Sequence, residues 1–405
     1  MADYMVSVYD NVAKATISMA AMDAAFAVQS YGSRYSYVTS PLAVAILPSN
    51  EGTGKNLSLA QMASVHSATS FRNIIDGGDF STNPWQRGTA FATIANTSTY
   101  TADRWVAAGN NASASVNVSK QTVTAVPGFG SALQLQRTAA NANTALIRLQ
   151  QLIESNEVVR LQGQMVTLSF WAAAGALFTA LGGAVGVKLT TGTTADEGIA
   201  AYLSGFAGAV SPASIAGGGI TLTPGGSYQR YFASFMVPAG ALEAALEFNF
   251  TPVGTAGATD YIRIIGVQLE IGSSASFFEH RTAHQELSKC QRHCVVFAEP
   301  AAGVPVAMGY SSLTTQANFQ LGTPFTMRAA PAVTFGGTAL GAGTWTVGDA
   351  ATPIVLGTPF MAAGAGHTAN SVSLVATTAA AQTAGRGVAL LGAAGGGTII
   401  VSADL

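Results

Sequence analysis

The chain has 405 residues, a formal net charge of -2 and 9% charged side chains, against roughly a quarter in an ordinary soluble domain. Because it has few cations and no basic cluster, it cannot neutralise many phosphates, and we predict no nucleic-acid partner. Hydrophobic residues make up 49% of the chain, which excludes charge-driven disorder, and no uninterrupted apolar run of about 20 residues predicts a membrane span. Two cysteines and the lack of a secretory leader pattern predict folding in a reducing cytosol.

Residues 1–70 differ in pattern from the rest and predict a small mixed region. Residues 12–28 have few helix breakers and favour a helix, whereas residues 31–47 are rich in Tyr, Val and Ser and favour a strand. Residues 56–66 favour a second short helix, and we place a linker at residues 67–71. From its position alone, we expect this region to attach the chain to an assembly.

Residues 71–279 are predicted to form a jelly-roll β-sandwich. Apolar and polar residues alternate with period two, which gives each strand one face for a core and one for water. The pattern occurs in residues 133–137 (LQLQR), 167–171 (TLSFW), 246–250 (LEFNF) and 267–271 (VQLEI). Glycine and proline turns separate these short strands, which is typical of a sandwich or jelly roll. The predicted fold class is therefore mainly β.

Residues 280–294 interrupt the β pattern and form the most charged segment of the chain. Polar residues alternate with Leu287 and Cys290 at near-helical spacing, which predicts a short connector helix or a tight crossing between domains. Residues 295–405 return to strand and turn and are predicted to form a C-terminal β domain. We expect Arg281 and Arg292 to pair at this junction, within or between chains.

Two groups of residues are candidate metal ligands. Asp76, Asp79 and Asp260 could supply oxygen ligands for a structural calcium at one end of the jelly roll, and turn capping is the alternative for Asp76. Zinc ligands occur between His280 and Cys294, but the segment lacks a CxxC pair, so packing in a connector is favoured. Calcium is the one cofactor that we predict as a candidate.

Three aromatic residues, Trp85, Trp171 and Tyr202, are candidates for glycan binding, because displayed aromatic rings stack on the apolar C–H faces of sugars. Trp171 lies on the face of its strand opposite Leu168 and Phe170, so its ring is either covered by a second layer or displayed. Core or interface packing is the alternative for each ring.

No catalytic residue is predicted. The chain lacks a GxSxG motif, and its five histidines lie far from convincing Ser and Asp partners. Its few carboxylates occupy settings that do not suggest an acid and a base facing one cleft. We therefore expect a protein that is not an enzyme.

The order of short motifs along the chain resembles that of phage and prophage tail-fibre or other virion appendage proteins, which contain a jelly roll similar to carbohydrate-binding modules. The motifs are residues 73–80 (NIIDGGDF), 83–89 (NPWQRGT), 100–105 (YTADRW), 166–171 (VTLSFW), 228–231 (YQRY), 266–270 (GVQLE), 278–281 (FEHR), 286–292 (ELSKCQR) and 324–328 (PFTMR) with Pro331. Single motifs are weak, whereas their common order over residues 73–331 is specific.

This resemblance implies a structural protein of the virion, assembled in the host cytoplasm. It implies a homotrimer that attaches to other virion proteins and whose sandwich contacts host-surface polysaccharide. An architectural or head or tail decoration protein is the first alternative, and a glycan depolymerase is the second. Within the motifs we assign Asp103, Arg104 and Trp105 to the fold, because an arginine between a carboxylate and an aromatic face makes a charged hydrogen bond and a cation–π contact together.

Overall fold

A computed structural model describes two compact units, Met1–Phe71 and Arg72–Leu405. In the first unit only three backbone strands are described. In the second unit the described residues are 72–96, 98–109, 116–210, 219–336, 345–348, 353–363, 366–378, 382–392 and 397–405.

The strands of the first unit are β1 (Met5–Asp10), β2 (Ala15–Ala20) and β3 (Tyr35–Tyr37), and they form an antiparallel sheet of order β2-β1-β3. The helix predicted over residues 12–28 is therefore wrong for β2, where pairing with β1 over six residues satisfies the backbone instead. β3 lies within the strand predicted over residues 31–47. The helix and the linker predicted over residues 56–71 lie outside the described residues.

The second unit begins with a sandwich of two six-stranded sheets, sheet I and sheet II, whose paired strands are antiparallel. Sheet I consists of β4 (Ala90–Ile94), β7 (Val116–Thr122), β8 (Ser131–Arg137), β10 (Met165–Ala174), β13 (Gln229–Met236) and β15 (Tyr261–Ile271), in the order β13-β10-β15-β8-β7-β4. Sheet II consists of β5 (Thr99–Tyr100), β6 (Val106–Gly109), β9 (Ile147–Ile153), β11 (Ala184–Gly192), β12 (Ile220–Thr221) and β14 (Glu243–Phe250), in the order β12-β11-β14-β9-β6-β5.

Aromatic rings from both sheets and from the preceding loops meet in the core of the sandwich. The Trp105 ring lies 5.4 Å from Phe80 and 6.2 Å from Phe248, measured between centroids, and Phe170 meets Phe248 edge-on at 4.9 Å. Because Phe170 comes from sheet I and Phe248 from sheet II, this contact joins the two layers directly.

The outer face of sheet II is covered, which differs from the solvent-facing side that the alternating pattern predicted. All eight residues of β14 are buried, including Glu247 and Asn249. Tyr202, Phe206 and Leu405 pack over this side together with Leu152, so a second apolar layer replaces solvent there. The polar side chains on this face are satisfied locally: Gln150 Nε2 donates to Glu247 Oε2 over 2.7 Å.

Three helices are described in this unit: α1 (Ser155–Val158), α2 (Ile199–Ser204) and α3 (Ala283–Gln291), with single 3-10 turns at Val159–Leu161 and Leu181–Gly183. α3 lies within the predicted connector and begins with a capping box, in which Thr282 and Gln285 bond each other's backbone N–H. No helix among the described residues has the length and hydropathy needed to cross a bilayer.

The C-terminal part of the unit is a small β domain. Its strands are β16 (Cys294–Ala298), β17 (Pro305–Leu313), β18 (Gln316–Gly322), β19 (Ala332–Gly336), β20 (Trp345–Gly348), β21 (Pro353–Ala363), β22 (Ser371–Thr378), β23 (Gly387–Gly392) and β24 (Thr398–Ser402). β16, β24 and β19 form a three-stranded sheet, and the other strands close a barrel of order β17-β18-β22-β21-β20-β23. Trp345, Phe319 and Leu390 fill its core. The predicted mainly-β fold, a sandwich followed by a β domain, is confirmed.

Candidate functional site

The outer face of sheet I is the side turned away from the sandwich core, and it combines aromatic with planar polar side chains. Strand alternation determines which residues it presents, since Leu133, Leu135, Ile262 and Ile264 of the same strands point into the core. The residues on this face are Asn117, Ser119, Gln134, Gln136, Ser169, Trp171, Arg230, Tyr261 and Arg263.

Trp171 lies on this face, opposite Leu168 and Phe170, as the alternating pattern of β10 predicted. Arg230 of β13 is paired with Trp171 in the register of the two strands, and its guanidinium carbon lies 4.8 Å from the centroid of the Trp171 ring. On another side Phe129 packs at 5.2 Å between centroids. These contacts leave the Trp171 ring half-buried and hold it in a fixed orientation.

The close approach of Phe129 and Trp171 depends on Gly266. This residue of β15 has φ +58°, and a Cβ built there would stand 2.5 Å from Phe129 Cζ and 3.1 Å from Trp171 Cζ3. On the neighbouring strand β10, the pairing with β15 changes register between Ser169 and Trp171, as at a β-bulge. The bulge therefore directs the tryptophan ring, and only glycine leaves room for both rings.

A second aromatic and cationic pair lies on the neighbouring strands. The guanidinium carbon of Arg263 lies 4.7 Å from the centroid of the Tyr261 ring. Arg263 Nε donates to Gln134 Oε1 over 2.8 Å, and Gln134 Nε2 donates to Gln136 Oε1 over the same distance. Tyr228 packs nearby against the small apolar cluster that contains Phe129. The face thus presents ring surfaces beside oriented donors and acceptors.

Two of the three aromatic candidates are in the interior, which corrects the expectation of displayed rings. Trp85 is 4% exposed, and its Nε1 donates to the Phe80 carbonyl over 3.1 Å. Tyr202 is buried over sheet II, and its hydroxyl donates to Glu247 Oε2 over 3.0 Å. Burial raises the pKa of Tyr202, so the phenol stays neutral. Neither ring offers a free face for stacking.

The three candidate calcium ligands are each engaged by other partners. Asp260 pairs with Arg137 over 2.9 Å in a fully buried position. Asp79 Oδ1 accepts from the Ser81 backbone N–H, and Asp76 Oδ1 lies 2.8 Å from Lys289 Nζ. Over the described part of the chain, no group of three or more His, Cys, Asp or Glu side chains is arranged to hold a metal ion. The calcium set is therefore not assembled from these residues in this structure.

The cysteines and histidines of the connector also have other surroundings. Cys290 and Cys294 are buried free thiols, and burial raises the pKa of both. His293 is bound on both ring nitrogens by protein groups, whereas His280 pairs with Asp79 at 3.3 Å. The thiols behave as small apolar side chains here.

The motif of residues 103–105 is buried, but its partners differ from those expected. Asp103 accepts from Gln86 Nε2 over 2.7 Å instead of pairing with Arg104. Burial raises the pKa of Asp103 to about 6. Trp105 Nε1 donates to the Gly77 carbonyl over 3.2 Å, which fastens the loop of residues 73–80 to the core.

Arg104 reaches instead into the junction between the sandwich and α3. Its NH2 donates to the Leu152 carbonyl over 2.7 Å, and its NH1 lies 3.0 Å from His293 Nδ1. Because a guanidinium can only donate, His293 Nδ1 accepts and Nε2 carries the proton. His293 Nε2 then donates to Glu154 Oε1 over 2.7 Å. Burial first, and the charge of Arg104 second, lower the pKa of His293.

Arg281 and Arg292, which were expected to pair at the junction, both do so within the chain. Arg292 NH2 lies 2.8 Å from Glu154 Oε2. Arg281 contacts Glu286 Oε2 at 3.5 Å and Asp76 Oδ1 at 3.6 Å, and it donates to the Asn73 carbonyl. His293 and Arg292 together lower the pKa of Glu154 to about 2 against the effect of its burial.

An open cavity of about 250 Å³, the junction cavity, lies beside Glu154 and Arg292. Its polar lining includes Asp76, Arg104, Glu154, Lys289, Arg292 and His293. Sequence reasoning identified Arg292 and the charged connector but missed the role of Glu154 and His293. No local sequence pattern indicates this contact, because Arg104 and His293 lie 189 residues apart in the chain.

No family model matches the sequence, and no curated protein matches it. Among solved structures, the enzymatically active domain of tailspike protein 4 from bacteriophage CBA120 is 16% identical with a TM-score of 0.30, over 49% of this chain and 21% of that chain. The CBM22-1 and GH10 modules of Clostridium thermocellum endo-1,4-beta-D-xylanase 10B, complexed with xylohexaose, are 11% identical with a TM-score of 0.26, over 44% and 28%.

A further similar structure is TmCBM61 in complex with beta-1,4-galactotriose, which is 12% identical with a TM-score of 0.28, over 50% of this chain and 99% of that chain. The chain spans less than a third of the length of the first two structures. Similarity at this level carries no information about a ligand or an activity of this chain.

Proposed function

We propose that the chain is a non-enzymatic structural protein of a phage virion appendage, most simply a tail-fibre subunit, that contacts host-surface glycan through the outer face of sheet I. One observation carries the glycan assignment: half-buried Trp171 and Tyr261 lie on one face beside Arg230, Arg263 and Gln134. The virion assignment is supported by the order of the motifs over residues 73–331.

The chemistry of this face suits a saccharide. A sugar ring has apolar C–H faces, which stack on aromatic rings, and hydroxyl groups, which both donate and accept hydrogen bonds. Gln134 is buried, and its bond of 2.8 Å orients the half-buried guanidinium of Arg263, which is the planar donor on this face. Since Arg263 is ordered before binding, less conformational entropy is lost when a glycan binds.

We further propose that the chain acts as a homotrimer anchored to other virion proteins through residues 1–70. Single sugar contacts are weak, and three linked copies increase avidity without any new contact. Support comes from composition, since 9% charged residues leave few charges to solvate the surface, and contact between copies would cover part of it. Light scattering on the full chain tests this proposal, and a stable monomer at micromolar concentration would contradict it.

A depolymerase requires a protonated carboxyl beside an ionised one at an open cleft. Asp103, Glu243 and Glu286 have raised pKa values, but all three are buried. At the open junction cavity, Glu154 has its pKa lowered to about 2 and is a poor general acid. These observations favour a binding role over hydrolysis.

Retention on immobilised bacterial surface polysaccharides tests the proposed function. We expect the full chain to bind at least one polysaccharide and the variant Tyr261→Ala to lose about fivefold in affinity per site, since an aromatic contact contributes about 1 kcal/mol. Tyr310→Ala is the matched control, because Tyr310 is an exposed tyrosine of the barrel, 55% exposed.

The outcomes separate the three functions. No retention on any polysaccharide at micromolar concentration would contradict glycan binding and leave an architectural role. Release of reducing ends from a polysaccharide by the wild-type chain would contradict the non-enzymatic assignment. Equal losses from Tyr261→Ala and Tyr310→Ala would remove the outer face of sheet I as the site.

A further inference from the structure

The junction cavity is separate from the outer face of sheet I and contains unused hydrogen-bond donors. Arg104 lines it and is 4% exposed at its side chain. Two of its three donor nitrogens are engaged, by Leu152 and His293. Its Nε has no hydrogen-bond acceptor among the residues that the structure describes, although Asp76 Oδ2 lies at 3.7 Å. A buried guanidinium N–H without an acceptor is costly. Several buried arginines of the described residues have such an Nε, and Arg104 is the one among them that lines this cavity.

Two further cations stand at the rim of the cavity. Lys289 is 37% exposed and Arg292 is 40% exposed at the side chain. Lys289 Nζ lies 2.8 Å from Asp76 Oδ1, and Arg292 uses NH2 to bind Glu154. Since an ammonium has three N–H groups and a guanidinium five, both retain donors that face solvent.

The carboxylates of the cavity, in contrast, are largely occupied. Glu154 accepts from His293 on one oxygen and from Arg292 on the other. Glu157 Oε2 accepts from Arg160, which does not line the cavity and is 54% exposed. Asp76 Oδ1 makes no hydrogen bond among the described residues, but Lys289 and Arg104 flank this carboxylate and lower its pKa against burial. A ligand in this cavity therefore meets more free donors than free acceptors.

We propose that the junction cavity binds the carboxylate group of an acidic sugar, with Arg104, Lys289 and Arg292 as the donors. This inference rests on the proposed glycan-binding function and extends it to a ligand class. A carboxylate accepts from a guanidinium and an ammonium in charge-assisted bonds, which are shorter and stronger than bonds between neutral groups. A neutral sugar offers hydroxyls but leaves the charge of the donors uncompensated.

Ligand-observed NMR with the full-length chain tests the inference. The probes are the methyl glycosides of glucuronic, galacturonic and N-acetylneuraminic acid, with methyl glucoside and methyl galactoside as neutral counterparts and acetate as a free carboxylate. We expect at least one acidic glycoside to bind about tenfold or more tightly than the neutral glycosides, because each bond to a charged group contributes about 1.5–3 kcal/mol.

Variants locate the binding. Lys289→Met keeps the apolar stem of the side chain and removes its charge, so we expect about a tenfold loss of affinity for the acidic glycoside. Lys188→Met is the matched control, since it makes the same change at an exposed lysine of β11 that does not line the cavity. Unfolding midpoints measured in parallel identify any variant that fails to fold, and Arg292→Gln then serves as the second variant.

Each outcome decides the inference. Equal binding of acidic and neutral glycosides, or binding of none of the three acids, would overturn it. Binding that survives both Lys289→Met and Arg292→Gln would also overturn it. Acetate binding as tightly as the glycosides supports the carboxylate site and assigns it to a free acid instead of a sugar. If no acidic glycoside binds the junction cavity but Tyr261→Ala still lowers polysaccharide retention, the inference is wrong and the proposed glycan-binding function is kept.

Discussion

His293 Nε2 donates to Glu154 Oε1 over 2.7 Å, and this bond connects the end of α3 to the end of β9. The histidine is neutral and the glutamate is ionised, since His293 Nδ1 accepts from Arg104 and the pKa of Glu154 is lowered to about 2. The junction between the sandwich and the connector is therefore stabilised by a series of hydrogen bonds, from Arg104 to His293 and from His293 to Glu154.

Acid should weaken this junction first. The folded pKa of Glu154 lies below its ordinary value of 4.5, so its stabilisation is complete above about pH 4.5 and is lost as the pH falls toward 2. The shift corresponds to at most about 3 kcal/mol. We expect Glu154→Gln to reduce the difference in urea midpoint between about pH 5 and about pH 3, to which Asp76, whose pKa is also lowered, contributes with the same sign. Glu157→Gln, at a partly exposed neighbour, is the control, and an unchanged dependence of the urea midpoint on pH in Glu154→Gln would contradict the assignment.

Glu243 should produce the opposite dependence on pH. Burial and the neighbouring Glu197 carboxylate raise its pKa from 4.5 to about 8, so the fold favours the protonated form. Its contribution is complete below about pH 4.5 and is lost as the pH rises toward 8. We expect Glu243→Gln, which mimics the protonated acid, to be more stable than wild type at about pH 8 and similar to it at about pH 5.

Thermal unfolding at the two pH values measures this effect. Glu157→Gln again serves as the control, because it also removes one negative charge, at a partly exposed glutamate that pairs with Arg160. A stabilisation by Glu243→Gln that is equal at both pH values would show that ionisation of Glu243 is not its cause.

The sandwich strands were predictable because period-two alternation is local information. The segment 167–171 became part of β10, and the face of Trp171 followed directly from its position. The connector helix was also locally encoded, by charge spacing and by the Thr282–Gln285 cap. In each case the deciding residues lie within a few positions of one another in the sequence.

The burial of Trp85 and Tyr202 was not predictable from local pattern. Trp85 has a positive φ of 48°, in a loop whose path depends on the Phe80 carbonyl and on Asn83. Tyr202 is covered because a distant segment ending at Leu405 packs beside it. Both depend on contacts that only the tertiary fold creates. Of the three aromatic residues predicted to bind glycan, Trp171 is therefore the one that stays a candidate.

Asp260 should matter for stability through Arg137. Both side chains are fully buried, and Arg137 also donates to the carbonyls of Asn143 and Gly254. Asp260→Ala leaves the guanidinium charge unpaired in the interior, so we expect a loss of about 3–5 kcal/mol in the free energy of unfolding. Asp196→Ala is the control, since its partner Arg328 lies at 3.4 Å in a partly exposed position.

Metal dependence separates this ion pair from a calcium site. Asp260 is already neutralised by Arg137, so chelator should leave the unfolding midpoint of the wild-type chain unchanged. A rise in midpoint on adding calcium, abolished by Asp260→Asn or Asp76→Asn, would instead support the calcium ligands expected from the sequence.

Gly266, beside the Phe129 and Trp171 rings, should be sensitive to substitution. It has φ +58°, and an added Cβ would meet the Phe129 ring at 2.5 Å, so Gly266→Ala combines backbone strain with overpacking. We expect a loss of about 1–3 kcal/mol in unfolding free energy. Gly163→Ala is the matched control, because Gly163 has φ +67° and open space around the built Cβ.

Both glycines have a positive φ, so the backbone strain is similar in the two variants. The difference between their losses of unfolding free energy therefore measures the steric effect of the added Cβ at Gly266. Since Gly266 also sets the distance between Phe129 and Trp171, the variant should change the tryptophan fluorescence spectrum of the folded chain, whereas Gly163→Ala should not. If the ring of Trp171 forms part of the glycan site, Gly266→Ala should also lower the retention of the chain on polysaccharide, relative to Gly163→Ala. Equal destabilisation by the two variants would mean that Phe129 moves aside, and the fixed orientation of Trp171 would then need another cause.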